Sequence, residues 1–349
     1  MRFDVEEIRM NFPSPSQLSS MLLVTASIAV GLACFSSPNH RIAFVSDVDG
    51  DSEVVLLDAE NGETISLTDN QSSDFDPRWS PNREFLAYVS DESGDLEVNL
   101  IDRDGESIIR LTHSAGDDIS PRWSPDGRRL AFISQRKGQR DVYLINADGS
   151  NPTRITSSRH EHRMGDWSPD GEWLVFYAVE PEGSRGLWLR NPDGVNSVHL
   201  TSGQDRDPVW SPDGRHIAFV SLGDDNADIY IVSRSKNGTW QDDVELTRLT
   251  QQDASDLSPA WSPDSKSIAF VTFRHGSAEI YTTLLDGSEP IRLTYNVSDD
   301  LDPEWSPDGK RIAFVSQVYG PGEIVVMDAN GDNQRRLTTG NAAGRSPRW

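Results

Sequence analysis

One acidic position recurs along the chain. Asp74, Asp118, Asp205, Asp256 and Asp300 each stand three residues before the Pro of a Pro-x-Trp unit. The matching position is His162 in one unit and Gly344 in the last. Carboxylates at close range raise each other's pKa or attract a cation. The six side chains of this set, His162 included, are therefore candidates for a binding ring that takes a cation or a basic peptide. The local alternative is that each Asp caps its own turn. Repetition in almost every unit favours the local role, because a site rarely needs every copy.

Three further constellations carry chemistry. Arg159-His160-Glu161-His162-Arg163 interrupts the acidic pattern, and His113 lies on the preceding loop of the same face. A His-x-His pair beside a carboxylate is a transition-metal donor set. His113, His160 and His162 are thus the candidate ligands for a divalent cation, the one cofactor considered. The bland alternative is a solvated loop whose His and Arg offset nearby acids. Ser233 to Trp240 lengthens one unit and carries two basic residues and an aromatic tip. That makes Trp240 a candidate partner contact, unless it folds back on its own unit. Cys34 is the sole cysteine, which excludes a disulfide framework. No Gly-x-Ser-x-Gly elbow, P-loop, His-Glu-x-x-His or Cys-x-x-Cys motif occurs, so no catalytic residue is assigned.

These residues sit on a repeat. Trp79, Trp123, Trp167, Trp210, Trp261, Trp305 and Trp349 recur at spacings of 44, 44, 43, 51, 44 and 44. Six of the seven begin Trp-Ser-Pro, as in Trp123-Ser124-Pro125-Asp126-Gly127. An apolar run follows, such as Leu130-Ala131-Phe132-Ile133 or Ile312-Ala313-Phe314-Val315. Next comes a second run, such as Asp141-Val142-Tyr143-Leu144, then an Asp-Gly or Asn-Gly turn and a Leu-Thr or Ile-Thr close. Runs rich in Ile, Val, Phe and Tyr, bounded by Gly, Pro, Asn and Asp, are strands. Asp-Gly and Asn-Gly supply the positive φ of tight hairpins. Each unit therefore reads as four antiparallel strands. The Ile-Ala-Phe-Val strand does not alternate, so the sheet must be covered on both faces. Stacking such sheets round an axis does this, giving an all-β, seven-bladed β-propeller. The first unit lacks a Trp-Ser-Pro strand before it, and the last ends on Ser346-Pro347-Arg348-Trp349. The two fragments complete one blade, with the C-terminal strand joining the N-terminal three to close the ring.

The pattern Asp-x-x-Pro-x-Trp-Ser-Pro-Asp-Gly, then Ile-Ala-Phe, Ile-Tyr, Asp-Gly and Leu-Thr, resembles the propeller repeat of TolB-like proteins, over residues 40 to 349. Related WD-repeat-like blades occur in the propellers of prolyl-oligopeptidase-type enzymes. The resemblance implies a propeller with a binding role outside the bacterial cytoplasm. It departs from the TolB pattern in two respects: that family usually has six blades and an α/β domain before them. The His-x-His and the blade count also resemble propeller lyases that act on pectic oligosaccharides with a histidine-bound metal.

The chain holds 56 acidic and 32 basic residues, a net charge of −24. A nucleic-acid binder needs a basic footprint, so that class is excluded. Met21 to Cys34 is the one long apolar run. It has the length of a secretory signal core and falls short of the span of a bilayer. Its end, Gly31-Leu32-Ala33-Cys34, resembles a bacterial lipoprotein signal with Cys34 as the lipidated residue. Residues 1–39 are thus expected to be a leader and linker, and residues 40–349 the propeller. The expected protein is exported, periplasmic or cell-surface, monomeric, and in contact with membrane only through its leader or lipid. Its expected role is non-catalytic binding of a protein or peptide, basic by charge complementarity. The alternatives are a metal-dependent carbohydrate-active propeller and a regulatory partner of a peptidase.

Overall fold

The computed structural model describes residues 40–47, 50–157, 162–179, 185–222, 226–236, 238–241, 244–286, 288–339 and 343–349. These form seven four-stranded antiparallel sheets, the blades of a β-propeller. Blades II to VII start with the innermost strands Asp74–Trp79, Asp118–Trp123, His162–Trp167, Gln204–Trp210, Asp256–Trp261 and Asp300–Trp305. Blade I takes its innermost strand from the far end of the chain. Ala343–Arg348 pairs with Arg41–Asp47, bringing Ala43 opposite Arg348 and Ser46 opposite Gly344. The ring therefore closes as the split repeat requires.

The core lies between blades. In the Arg41–Asp47 strand, Ile42 and Phe44 pack against Ala313, Val315 and Trp349 on one side. Ala43 packs against Leu86 and Tyr88 of blade II on the other. Neighbouring side chains of one strand thus serve two different interfaces, which is why Ile42 to Val45 are apolar without alternation. Phe132, Phe176, Phe219, Phe270 and Phe314 are all fully buried at equivalent places. Each contributes roughly 1.5–3 kcal/mol of burial. The outermost strands are short, and Thr64–Ser66 and Ile108–Arg110 are exposed throughout.

The Trp-Ser-Pro-Asp-Gly turn is a closed hydrogen-bond unit. Ser124 Oγ donates to Asp126 Oδ1 at 2.6 Å and accepts from the Arg129 amide at 2.9 Å. Asp126 also accepts from the Arg128 amide at 3.1 Å. The same set recurs at Ser306, Asp308 and Arg311. Much of the acidic excess is therefore turn chemistry.

A second repeated device was not legible as such. Glu279 lies buried beneath Arg292 at 2.8 Å and Thr294 at 2.5 Å, and Thr294 Oγ1 also accepts from the Ile280 amide at 2.9 Å. Glu97 with Arg110 and Thr112, and Asp141 with Arg154 and Thr156, repeat it. The closing Arg-Leu-Thr of a unit thus clasps the acid that opens its third strand. Blade IV has Gly186 at the acid position. A Cβ there would stand 2.0 Å from the Thr201 carbonyl oxygen, so a side chain is excluded.

Candidate functional site: the central channel

The innermost strand carries a bulge in every blade. Its register slips between Phe75 and Arg78, between Ile119 and Arg122, and at equivalent points elsewhere. The residue before the Pro is left-handed: φ is 52° at Asp76, 56° at Ser120, 52° at Ser258 and 51° at Asp302. A bulge bends the strand and re-aims its side chains. Here the residue just before the Trp lines the channel in all seven strands, and the residue before the Pro lines it as well at Asp207, Ser258 and Asp302.

The residues just before the Trp form a ring of mixed chemistry around a cavity of about 850 Å³. Blades I, II and III contribute Arg348, Arg78 and Arg122 side by side. Asp166 and Glu304 flank this cationic sector, and Val209 and Ala260 lie on the far wall. Arg78 Nη2 lies 2.6 Å from Asp76 Oδ1, and Arg122 Nη1 lies 3.5 Å from Asp76 Oδ2. Arg348 Nη1 lies 3.6 Å from Glu304 Oε2. Burial works to raise the Asp76 pKa, but Arg78, Arg122 and Arg348 together hold it below the usual carboxylate range. Burial dominates at Glu304 and Asp166, pushing both up against the pull of Arg348 and Arg122 respectively.

The repeat Trp residues fix this wall from behind. Trp123 Nε1 donates to the Arg78 carbonyl at 3.0 Å, Trp167 to Arg122 at 3.1 Å and Trp349 to Glu304 at 3.1 Å. Trp261 and Trp305 do the same to Val209 and Ala260, at 3.1 and 3.2 Å. Five blades thereby hold the backbone of the wall residue contributed by the blade before them, whereas Trp79 and Trp210 make no such bond among the described residues.

The acidic set singled out from the sequence stands elsewhere. Asp74, Asp118, Asp205, Asp256 and Asp300 are buried within the blades and do not line this cavity. Four of them fasten the loop that feeds their own strand. Asn70 donates to Asp74 at 2.8 Å, Ser114 to Asp118 at 2.9 Å and Asn296 to Asp300 at 2.7 Å, and Thr201 donates to Asp205. Asp256 meets Arg274 at 3.3 Å instead. Burial pushes the Asp74 and Asp300 carboxyls up. A ring of carboxylates open to a cation is therefore corrected to buried anchors, because the residue three before the Pro faces into the blade.

His162 is also buried, with Nδ1 at 2.9 Å from the Arg140 carbonyl oxygen. His113 is exposed, and His160 lies outside the described residues. Among the described residues no group of three or more His, Cys, Asp or Glu is placed to hold a metal. Trp240 is corrected from a surface contact to a core residue. It is 3% exposed and packs edge-on against Trp210 at 5.0 Å between ring centroids. Cys34 lies outside the described residues.

The channel-wall residues were not singled out in the sequence because they occupy the position that varies. Between Pro and Trp the units carry Arg78, Arg122, Val209, Ala260, Glu304 and Arg348, and Asp166 follows Gly165. In a repeat, a constant residue serves the scaffold, and a variable one set at the axis is free to serve a ligand.

The class so defined is a closed seven-bladed propeller with a charged, asymmetric channel. Residues 20–233 and 194–349 match the TolB beta propeller domain family, and the chain belongs to it. Among curated proteins, a stretch of 96 residues is 38% identical to the uncharacterized peptidase YuxL of Bacillus subtilis, covering 27% of this chain and 13% of that protein. The chain thus matches only a small part of that relative's length. Among solved structures, TolB from Acinetobacter baumannii superposes with a TM-score of 0.59 at 20% identity, over 88% of this chain and 66% of that one. An oligogalacturonate lyase in complex with manganese superposes with a TM-score of 0.65 at 18% identity, over 84% and 87% of the two chains. At these identities the structural likenesses speak for the fold alone.

Proposed function

We propose that this is an exported, non-catalytic propeller that binds a protein or peptide through its central channel. The observation that carries this reading is the chemical variety at the one repeat position on the channel wall, set against near-constant scaffold residues around it. The likeness to TolB, together with a curated relative of this chain named as a Tol-Pal system protein, supports a protein partner. The metal-dependent lyase reading has less support, because the Arg140 carbonyl takes up His162 Nδ1 and His113 stands apart in an exposed loop. Export rests on the Met21 to Cys34 run, with Cys34 as the proposed lipid attachment point. Metabolic labelling with palmitate, lost on Cys34→Ser, tests that attachment.

The binding role is tested by photo-cross-linking in cells. A photoreactive residue replaces Ala260 on the channel wall or, as control, Ile109 on an exposed outer strand. A discrete protein adduct from position 260 and none from 109 is the expected result. Adducts from 109 alone would move the binding surface to the outer rim.

A further inference from the structure

The channel wall has the opposite sign, on one side, to the charge of the whole chain. We propose that Arg78, Arg122 and Arg348 form a carboxylate-binding site that receives the free C-terminus or an acidic side chain of a peptide ligand. This rests on the peptide-binding reading of the same channel and names the chemistry it recognises.

Three guanidiniums from adjacent blades carry more donors than the protein uses. Each has five N–H groups in a planar fork suited to a carboxylate. Among the described residues two carboxylates pair with the sector: Asp76, at 2.6 Å from Arg78 and 3.5 Å from Arg122, and Glu304, at 3.6 Å from Arg348. Arg122 Nη1 and Arg348 Nη1 donate to the carbonyls of their own preceding prolines, at 2.8 and 2.9 Å. Arg78 Nε and Arg348 Nε are buried with no hydrogen-bond partner among the described residues. Buried donors without partners are costly, and a ligand oxygen relieves the cost.

The cations also oppose one another. Burial lowers the Arg122 pKa to about 10, with Arg78 as the next contributor. Arg348 is lowered by burial and then by Arg78. An anion placed among them reverses that repulsion. The rest of the cavity sets a limit on what the anion is attached to. Asp166 and Glu304 flank the sector, and Asp207 and Asp302 line the far side with Val209 and Ala260. A polyanion would be repelled there, whereas a chain with one negative group and a neutral or basic remainder is accepted. A single peptide carboxylate meets both conditions.

The test is calorimetric titration at low salt with the acetylated tetrapeptide Gly-Val-Ala-Leu, as free acid and as C-terminal amide. A version ending in an amidated Glu separates a side-chain carboxylate from a C-terminal one. The proposal expects the free acid or the Glu peptide to bind at least about tenfold more tightly than the uncharged amide, a difference of one charge-assisted contact. Arg122→Gln and Arg348→Gln, each checked for an unchanged unfolding transition, should each abolish most of that preference. Equal binding of charged and uncharged peptides, a preference that survives both substitutions, or no binding of any carboxylate peptide overturns it. Adducts from position 260 alongside any of these results would leave the channel as a binding site and remove only its carboxylate chemistry. Absence of both would remove the channel reading as well.

Discussion

Trp123 Nε1 donates to the backbone carbonyl of Arg78 at 3.0 Å, so an indole of blade III fixes a wall residue of blade II. The relationship ties the constant residue of the repeat to the variable one. It also makes stability and channel geometry depend on the same contact. Trp123→Phe keeps most of the ring but loses the donor and leaves a carbonyl unpaired. A loss of about 1 kcal/mol is expected. Trp79 Nε1 has no hydrogen-bond partner among the described residues, and Arg83 stacks over its ring at 4.4 Å. Trp79→Phe should therefore cost distinctly less. Parallel urea unfolding of the two variants checks the ordering.

The acid–Arg–Thr clasp predicts a sharper loss. Thr294→Val keeps shape but removes a hydroxyl that serves both Glu279 and the Ile280 amide. Two buried polar groups are left short of a partner. A loss of about 2–4 kcal/mol is expected, at roughly 1–3 kcal/mol per stranded group with partial relaxation. Thr153→Val, on an exposed outer strand, should be nearly silent in the same denaturation assay.

Blade IV offers a steric test. Gly186 has φ of +137°, and a Cβ would lie 2.0 Å from the Thr201 carbonyl oxygen. Gly186→Ala is expected to cost more than about 3 kcal/mol, since the obstacle is backbone and cannot rotate away. Gly138→Ala meets nothing within 4 Å, so only its φ of +81° resists. Thermal unfolding should show a large shift for the first and a small one for the second.

Two acids on one strand and its turn predict opposite responses to pH. Burial raises the Asp300 carboxyl, whereas the Ser306 hydroxyl lowers Asp308. In the unfolded chain both titrate near about 3.9. The Asp300 contribution is therefore greatest below that value and is lost as pH rises through the folded pKa. The Asp308 contribution is present above that value and is lost as pH falls through its lowered folded pKa. Stability measured from pH 3 to 7 should rise less steeply with pH for Asp308→Asn than for wild type. Asp300→Asn should rise more steeply.

Most of the scaffold could be read in advance because it repeats. The Trp spacing, the Ile-Ala-Phe-Val strands and the split blade all translate directly into sheets and closure. Side-chain direction could not be read in the same way. Asp74 and Arg78 share one strand, and spacing alone gives no reason to prefer the second for the channel. The left-handed bulge at Asp76 decides it, and that bulge is a property of packing round the axis. The clasp stayed hidden because Glu279 and Thr294 are fifteen residues apart and meet only after two strands pair. Trp240 looked like a loop tip because it ends an insertion, but the insertion supplies the ring that packs Trp210.

The central claim is that ligands meet the arginine sector inside the channel. A crystal structure of the protein soaked with the acetylated free-acid tetrapeptide, or with its Glu-ended amide, tests it most directly. The account predicts a carboxylate within hydrogen-bond distance of Arg122 and Arg348, with the chain running past Val209 and Ala260. Peptide bound on the outer strands, or in the channel with its carboxylate turned away from the three guanidiniums, would contradict it.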